Sequence, residues 1–154
     1  GQREPVKAYE YMNKFYIVEG NKRVSVSKYL KNVSVYGNVT RLIPKKTNER
    51  ENIIYYEFLD FYEITKINYL WFSKPGSFSR FLEFVNPQKS TLWDVDTQRL
   101  FRSNYLHFEK EYLSKGGAKL SITTADAMLA YITIFWKHLR IRSEKISQKS
   151  GTNF

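Results

Sequence analysis

The chain lacks the residues on which several classes of protein depend. It contains no cysteine, which excludes a disulfide framework, thiolate metal sites and cysteine nucleophiles. Its two histidines, His107 and His138, are far apart in sequence and argue against a zinc site. The sequence has no apolar run of about 18 residues, the length that spans a membrane, and no secretory signal at its start. We therefore expect a cytoplasmic protein with no metal site and no membrane contact.

Composition indicates a folded, basic protein. Hydrophobic residues make up 42% of the 154 residues and aromatic residues 17%, which is enough for a packed core. The formal net charge of +10 favours polyanionic partners such as nucleic acid or nucleotides. Two basic groups are candidate nucleic-acid contacts: Lys45 and Lys46 in the first, and Arg140, Arg142 and Lys145 in the second. The alternative for both groups is a solvated surface that serves solubility.

One stretch of the sequence suggests chemistry, a strand followed by a turn and a helix. Aromatic and β-branched residues predict a short strand over Phe15–Val18, a turn over Glu19–Asn21 and a helix over Lys22–Leu30. Lys22 and Arg23 then lie in the first helical turn, where the helix dipole disfavours cations. Positive charge gathered against the dipole predicts a bound anion, most simply a phosphate. The candidate ligand-binding residues are Gly20, Asn21, Lys22 and Arg23.

The residues alone leave the role of this turn open. Glu19 either orients Arg23, binds a metal ion or takes a proton from a hydroxyl group. The simplest alternative is an ordinary strand-to-helix turn in which Lys22 and Arg23 are solvated, because short strings of this kind are weakly specific.

The rest of the pattern predicts an α+β fold with a helical C-terminal part. A first strand over Pro5–Glu10 pairs with Phe15–Val18 in an antiparallel hairpin, and Val33–Ile43 supplies a further strand. Pro44–Asn52 is polar and charged and predicts a loop. The segment after it is ambiguous, with a strand over Ile53–Tyr56 and a helix from Glu57 to Ile64.

Caps and apolar spacing predict the C-terminal helices. They are Phe78–Val85 after the N-cap Ser77, a helix from Asp94 or Asp96 to about Ser114, and Ala125 to about Arg142 after the N-cap Thr124. Trp71, Phe72 and Lys74 fit either a stacking platform for bases or core packing, and helical spacing nearby favours the core. We divide the chain into an α+β domain over residues 1–67, a helical extension over 68–146 and a tail over 147–154.

Three segments of the first 43 residues follow the order of a known family. QREPV (Gln2–Val6) is similar to an opening Q-x-P strand. KAYEYMNKFYIVEGNKRVSVSKYL (residues 7–30) is similar to a strand–turn–helix with a G-E-R-R or G-x-H-R box, and NVSVYGNVTRLI (residues 32–43) to the strand that follows. In this order they resemble the N-terminal domain of the ParB/sulfiredoxin superfamily. The resemblance implies a small mixed sheet with that strand–turn–helix, while the rest of the chain is unmatched.

The resemblance also implies a role for the box. In ParB proteins the box binds the phosphates of CTP, which implies a nucleotide such as CTP, ATP or ADP with Mg at Gly20–Arg23. In the related free serine kinases an acidic residue before the glycine serves in phosphotransfer, and Glu19 matches that position. The later E-N-x-Q-R box of ParB proteins has no match in Asn52–Ile64, and the absence of cysteine excludes sulfiredoxin chemistry.

Three functions follow, in order of preference. The first is a ParB-like nucleotide-binding or DNA-binding domain that holds a phosphate-bearing ligand, a nucleotide or a nucleic-acid backbone, in a regulatory or DNA-associated role. The second is a small-molecule kinase of the free-serine-kinase type, with Glu19 as base. The third is a non-catalytic protein-interaction module. We expect binding rather than catalysis, with a homodimer or an additional domain docked on the apolar C-terminal helices.

Overall fold

The computed structural model describes residues 6–19 and 37–151, except the side chains of residues 19, 139–147 and 149–151. The chain divides into two compact units, Gly1–Tyr55 and Tyr56–Phe154, which we call the sheet unit and the helical unit. The described residues form one three-stranded mixed sheet and four α-helices, so the predicted α+β class is confirmed. The domain division predicted from the sequence stays a prediction.

The sheet has the strand order β2-β1-β3. Strand β1 spans Val6–Tyr11, β2 spans Lys14–Glu19 and β3 spans Gly37–Arg41. β1 and β2 pair antiparallel, which confirms the predicted hairpin, whereas β1 and β3 pair parallel. The mixed sheet arises because the chain returns to the other side of β1 after β2.

The hairpin turn depends on two residues in an unusual backbone conformation. Met12 and Asn13 have positive φ angles of 52° and 64°. Two consecutive residues with positive φ allow a two-residue loop to follow the right-handed twist of the strands. The Asn13 backbone N–H donates to Glu10 Oε1 at 2.8 Å, which ties the turn to the strand before it.

Side chains of β1 alternate between the two faces of the sheet. Val6, Ala8 and Glu10 are buried, whereas the side chains between and after them are exposed. β3 approaches β1 closely at its first residue, because a Cβ at Gly37 would lie only 2.8 Å from the Val6 carbonyl oxygen. A glycine at this position therefore permits the parallel pairing.

Helix α1 spans Arg50–Thr65 without interruption, so the predicted strand over Ile53–Tyr56 is wrong. Its buried side chains recur at helical spacing: Ile54, Tyr55, Phe58, Phe61 and Thr65. Burial on this face outweighs the strand preference of the β-branched and aromatic residues. The loop predicted over Pro44–Asn52 ends earlier than expected, because Arg50 to Asn52 belong to the helix.

Three further α-helices follow in the helical unit, α2 over Ser77–Val85, α3 over Val95–Ser114 and α4 over Thr124–Gly151. Asp94 caps α3 by accepting from the Thr97 N–H at 2.7 Å, which confirms the predicted start. Ser77 is the first helical residue of α2 and not its cap, which is Gly76 with a φ of 84°.

Helix α4 is capped by Thr123 and not by Thr124. Thr123 Oγ1 accepts from the Asp126 N–H at 3.0 Å, and Asp126 Oδ2 accepts from the Thr123 N–H at 3.1 Å. This reciprocal pair is a capping box. The helix continues to Gly151, beyond the end predicted near Arg142.

Aromatic rings fill the interior of the helical unit. Phe72 is fully buried, with its ring centroid 4.7 Å from that of Phe78 and 5.3 Å from that of Phe81. Trp71 packs on Phe58 and Phe78 at 6.1 and 6.2 Å. These contacts confirm core packing for Phe72, and the half-buried Trp71 packs against rings of the same core.

Candidate functional site

The described part of the candidate site is the end of β2. The Cα of Glu19, the last residue of β2, pairs with that of Lys7, and Gly37, the first residue of β3, pairs with Val6. β2 therefore ends where β1 and β3 begin. The candidate residues Gly20, Asn21, Lys22 and Arg23 lie outside the described residues, as does the Glu19 side chain.

A buried polar cluster lies at the other end of the same strands. Glu10, only 2% exposed, accepts through Oε2 from Tyr55 Oη at 2.7 Å and from Arg41 Nη1 at 3.1 Å. Its Oε1 accepts from the Asn13 N–H, and Arg41 Nη1 also lies 3.3 Å from Tyr55 Oη. A carboxylate in the interior requires such partners, because an unpaired buried charge is costly.

The cluster joins the elements of the sheet unit. Glu10 and Arg41 are register partners on the parallel strands β1 and β3, and Tyr55 comes from the first turns of α1. Burial raises the pKa of Tyr55, while the hydrogen bond with Arg41 opposes that rise. Tyr55 therefore stays protonated near neutral pH and donates to Glu10. Both oxygens of Glu10 are occupied, which suits a structural role better than ligand binding.

Sequence reasoning missed Glu10. The only local signal is its position two residues after Ala8 in an alternating strand, on the face that carries Val6. Its partners lie 31 and 45 residues further along the chain. Their proximity depends on the parallel pairing, which the local pattern does not predict, and on the first turns of α1, where it predicts a strand.

The first group of basic candidates lies on an ordered loop of the sheet unit. The Lys45 and Lys46 side chains are exposed. Asn52 fixes the backbone beside them: its Nδ2 donates to the Lys45 carbonyl at 3.0 Å, and its Oδ1 accepts from the Thr47 N–H at 2.8 Å. The loop thus presents two cations on a fixed backbone, an arrangement that can contact an anion.

The second basic group lies on α4. The helix includes Arg140, Arg142 and Lys145, but their side chains lie outside the described residues. Within residues 6–19 and 37–151, which the structure describes, no group of three or more His, Asp or Glu side chains could hold a metal ion. The carboxylate of Glu57 accepts from the Gly76 N–H at 2.9 and 3.0 Å.

A groove between α3, the 3₁₀ turn Gly117–Lys119 and α4 was not anticipated from the sequence. Its volume is about 850 Å³, and aromatic and aliphatic side chains such as Phe108, Met128 and Tyr131 line it. Glu111 and Lys115 also line it, with their charged atoms 3.9 Å apart. Apolar spacing predicts the inner faces of both helices but not a gap between them.

Comparison of the chain with models of protein families, with curated proteins and with solved structures gives no match. Among the residues that the structure describes, none of the helices is both long and apolar enough to cross a bilayer.

Proposed function

We propose that the sheet unit is a ParB-like domain that binds a phosphate-bearing ligand, a nucleotide or a nucleic-acid backbone, at Gly20–Arg23. The observation that supports this proposal is the register of the strands where β1 and β3 begin and β2 ends. Glu19, the last residue of β2, pairs with Lys7 near the start of β1. β3 begins at the same end of the sheet. The glycine of the box therefore follows a strand end in a mixed sheet, which is the setting that the family resemblance implies.

Physical chemistry favours an anion in such a setting. A turn that leaves a strand and opens a helix offers backbone N–H groups without intrahelical partners. Lys22 and Arg23 add positive charge to that turn, and the net charge of +10 draws polyanions to the protein. We infer a nucleotide with Mg, such as CTP, ATP or ADP, and a regulatory or DNA-associated role in the cytoplasm.

Calorimetric titration of the full chain with CTP, ATP, ADP and GTP, with and without Mg, tests the site. We expect saturable binding of at least one nucleotide that Arg23→Ala weakens about tenfold or more, the size of a lost charge-assisted hydrogen bond. Arg99→Ala is the matched control, because it removes an exposed arginine from the helical unit.

Two results would overturn the proposal: no saturable binding of any nucleotide or phosphate-bearing polymer, or equal affinity of wild type and Arg23→Ala. Absence of binding would favour the protein-interaction module, whereas equal affinity would show that the ligand binds outside Gly20–Arg23. The kinase alternative, with Glu19 as base, is a separate hypothesis. It predicts phosphoserine in the same samples when free serine is added with ATP or ADP.

A further inference from the structure

The outward face of the hairpin displays tyrosines on neighbouring strands. Tyr9, Tyr11 and Tyr16 are 43%, 42% and 53% exposed. Tyr9 pairs directly with Tyr16 across the two strands, and Tyr11 pairs with Lys14. We call this surface the tyrosine face and define it by Lys7, Tyr9, Tyr11, Lys14 and Tyr16.

The spacing of these rings suits the stacking of bases. Side chains directly opposite each other in an antiparallel pair have Cβ atoms about 5 Å apart, and neighbours along one face of a strand lie about 7 Å apart. Successive unstacked bases can each meet an aromatic ring at such intervals, which is how sheet-based domains bind single strands. Tyr9 and Tyr11 lie along β1, and Tyr16 lies opposite Tyr9 on β2. The three rings therefore form one continuous platform.

The charge of the face fits a phosphate backbone. Lys7 and Lys14 stand at opposite ends of the paired strands, and both are exposed. Asn38 and Thr40 of β3 extend the same face with exposed polar side chains, because they pair with Lys7 and Tyr9. The described side chains on this face include two cations and no acid.

We propose that the tyrosine face binds single-stranded nucleic acid by stacking unpaired bases on Tyr9, Tyr11 and Tyr16, with Lys14 and Lys7 beside the phosphates. This assignment is separate from the phosphate site at Gly20–Arg23 and does not depend on it. A duplex is a poor ligand for such a face, because its bases are already stacked and paired.

Fluorescence anisotropy of labelled oligothymidylate and oligouridylate of about 15 nucleotides, titrated with the full chain, tests the proposal. The double variant Tyr9→Thr/Tyr16→Thr should weaken binding about thirtyfold or more, because each stacked base contributes at least a fivefold factor. Tyr9→Phe/Tyr16→Phe keeps the rings and should bind within about threefold of wild type. Lys14→Gln should reduce the salt dependence by about 0.7 in log–log slope.

The matched control is Phe15→Thr. Phe15 is 58% exposed on the same strand as Tyr16, but it pairs with Glu10 and so lies on the other face. We expect no loss of affinity in this variant. Absence of single-strand binding, an equal loss in Phe15→Thr, or duplex bound as tightly as single strands would overturn the proposal. The double variant should still bind the nucleotide in calorimetry, which separates this test from that of Gly20–Arg23.

Discussion

The two units of the chain use different means to fix their interiors. In the sheet unit, Glu10, Arg41 and Tyr55 form a buried hydrogen-bonded cluster between strands and helix. In the helical unit, rings such as Phe72 and Phe78 pack on one another at 4.7 Å. Hydrogen bonds are directional and so fix strand register, whereas packed rings remove large apolar areas from water without a comparable demand on direction.

This difference bears on where ligands are expected. The sheet unit buries Val6, Ala8 and Glu10 and leaves Tyr9 and Tyr11 outside. A face with exposed tyrosines and lysines is suited to bind a polyanion, whereas the buried rings of the helical unit, such as Phe72 and Phe78, are not accessible to a ligand. We therefore propose that the ligand binds the sheet unit, and substitutions in each unit measure how far the two interiors differ in stability.

The largest effect on stability is expected among the buried aromatic rings of the helical unit. Phe72→Ala should lower the free energy of unfolding of the helical unit by about 3–5 kcal/mol, because it leaves a cavity among buried rings. Urea denaturation followed by tryptophan fluorescence reports this unit, since Trp71, Trp93 and Trp136 all belong to it. The exposed Leu92→Ala is the control, expected within about 0.5 kcal/mol of wild type. Equal losses of unfolding free energy in Phe72→Ala and Leu92→Ala would contradict the claim that the buried rings stabilise the helical unit.

A smaller effect is expected in the polar cluster. Glu10→Ala leaves Arg41 and Tyr55 without their shared acceptor and should destabilise the sheet unit by about 2–3 kcal/mol, since Arg41 keeps some access to water. Tyr55→Phe removes one hydrogen bond and should cost about 1 kcal/mol. Hydrogen exchange of β1 and β3 amides measures both. A Glu10→Ala variant with wild-type exchange would show that packing alone fixes these strands.

The smallest effect concerns Asp126. Burial raises the pKa of this carboxyl, but hydrogen bonds from Ser73 and Thr123 outweigh burial, so the pKa lies below its ordinary value of 3.8. A lowered folded pKa means that the stabilisation is complete above about pH 4 and is lost as the pH falls below it. Ser73→Ala should cost about 1 kcal/mol at neutral pH.

The pH dependence has its own control. Asp126→Asn should flatten the fall in unfolding free energy of the helical unit below about pH 4, whereas Asp96→Asn, at an almost fully exposed carboxyl, should leave it unchanged. The measurement is tryptophan-detected denaturation at a series of pH values. An Asp126→Asn variant with the wild-type pH profile would contradict the role of these hydrogen bonds.

Local signals predicted local structure. The hairpin and the start of α3 at Asp94 are confirmed because a turn and a cap depend on residues within three or four positions. The strand predicted over Ile53–Tyr56 is wrong because burial along α1 overrides the preference of single residues.

Contacts between residues distant in sequence determine which face of β1 is buried, and local patterns did not predict this. Alternation in β1 defines two faces, one with Glu10 and one with Tyr9 and Tyr11, but it does not say which face is buried. The answer depends on Arg41 and Tyr55, which are distant in sequence. The tyrosine face could therefore be recognised only from the structure. The candidate turn Gly20–Arg23 lies outside the described residues and stays a prediction.

Hydrogen exchange of the full chain, with and without the oligothymidylate, tests most directly whether the sheet unit is the ligand-binding part. Mass spectrometry of peptides locates the change. We expect slower exchange in peptides from residues 6–19, which cover β1 and β2, and no change in those from α3 and the first half of α4. Slower exchange confined to the groove between α3 and α4, or no change in any peptide, would contradict this account.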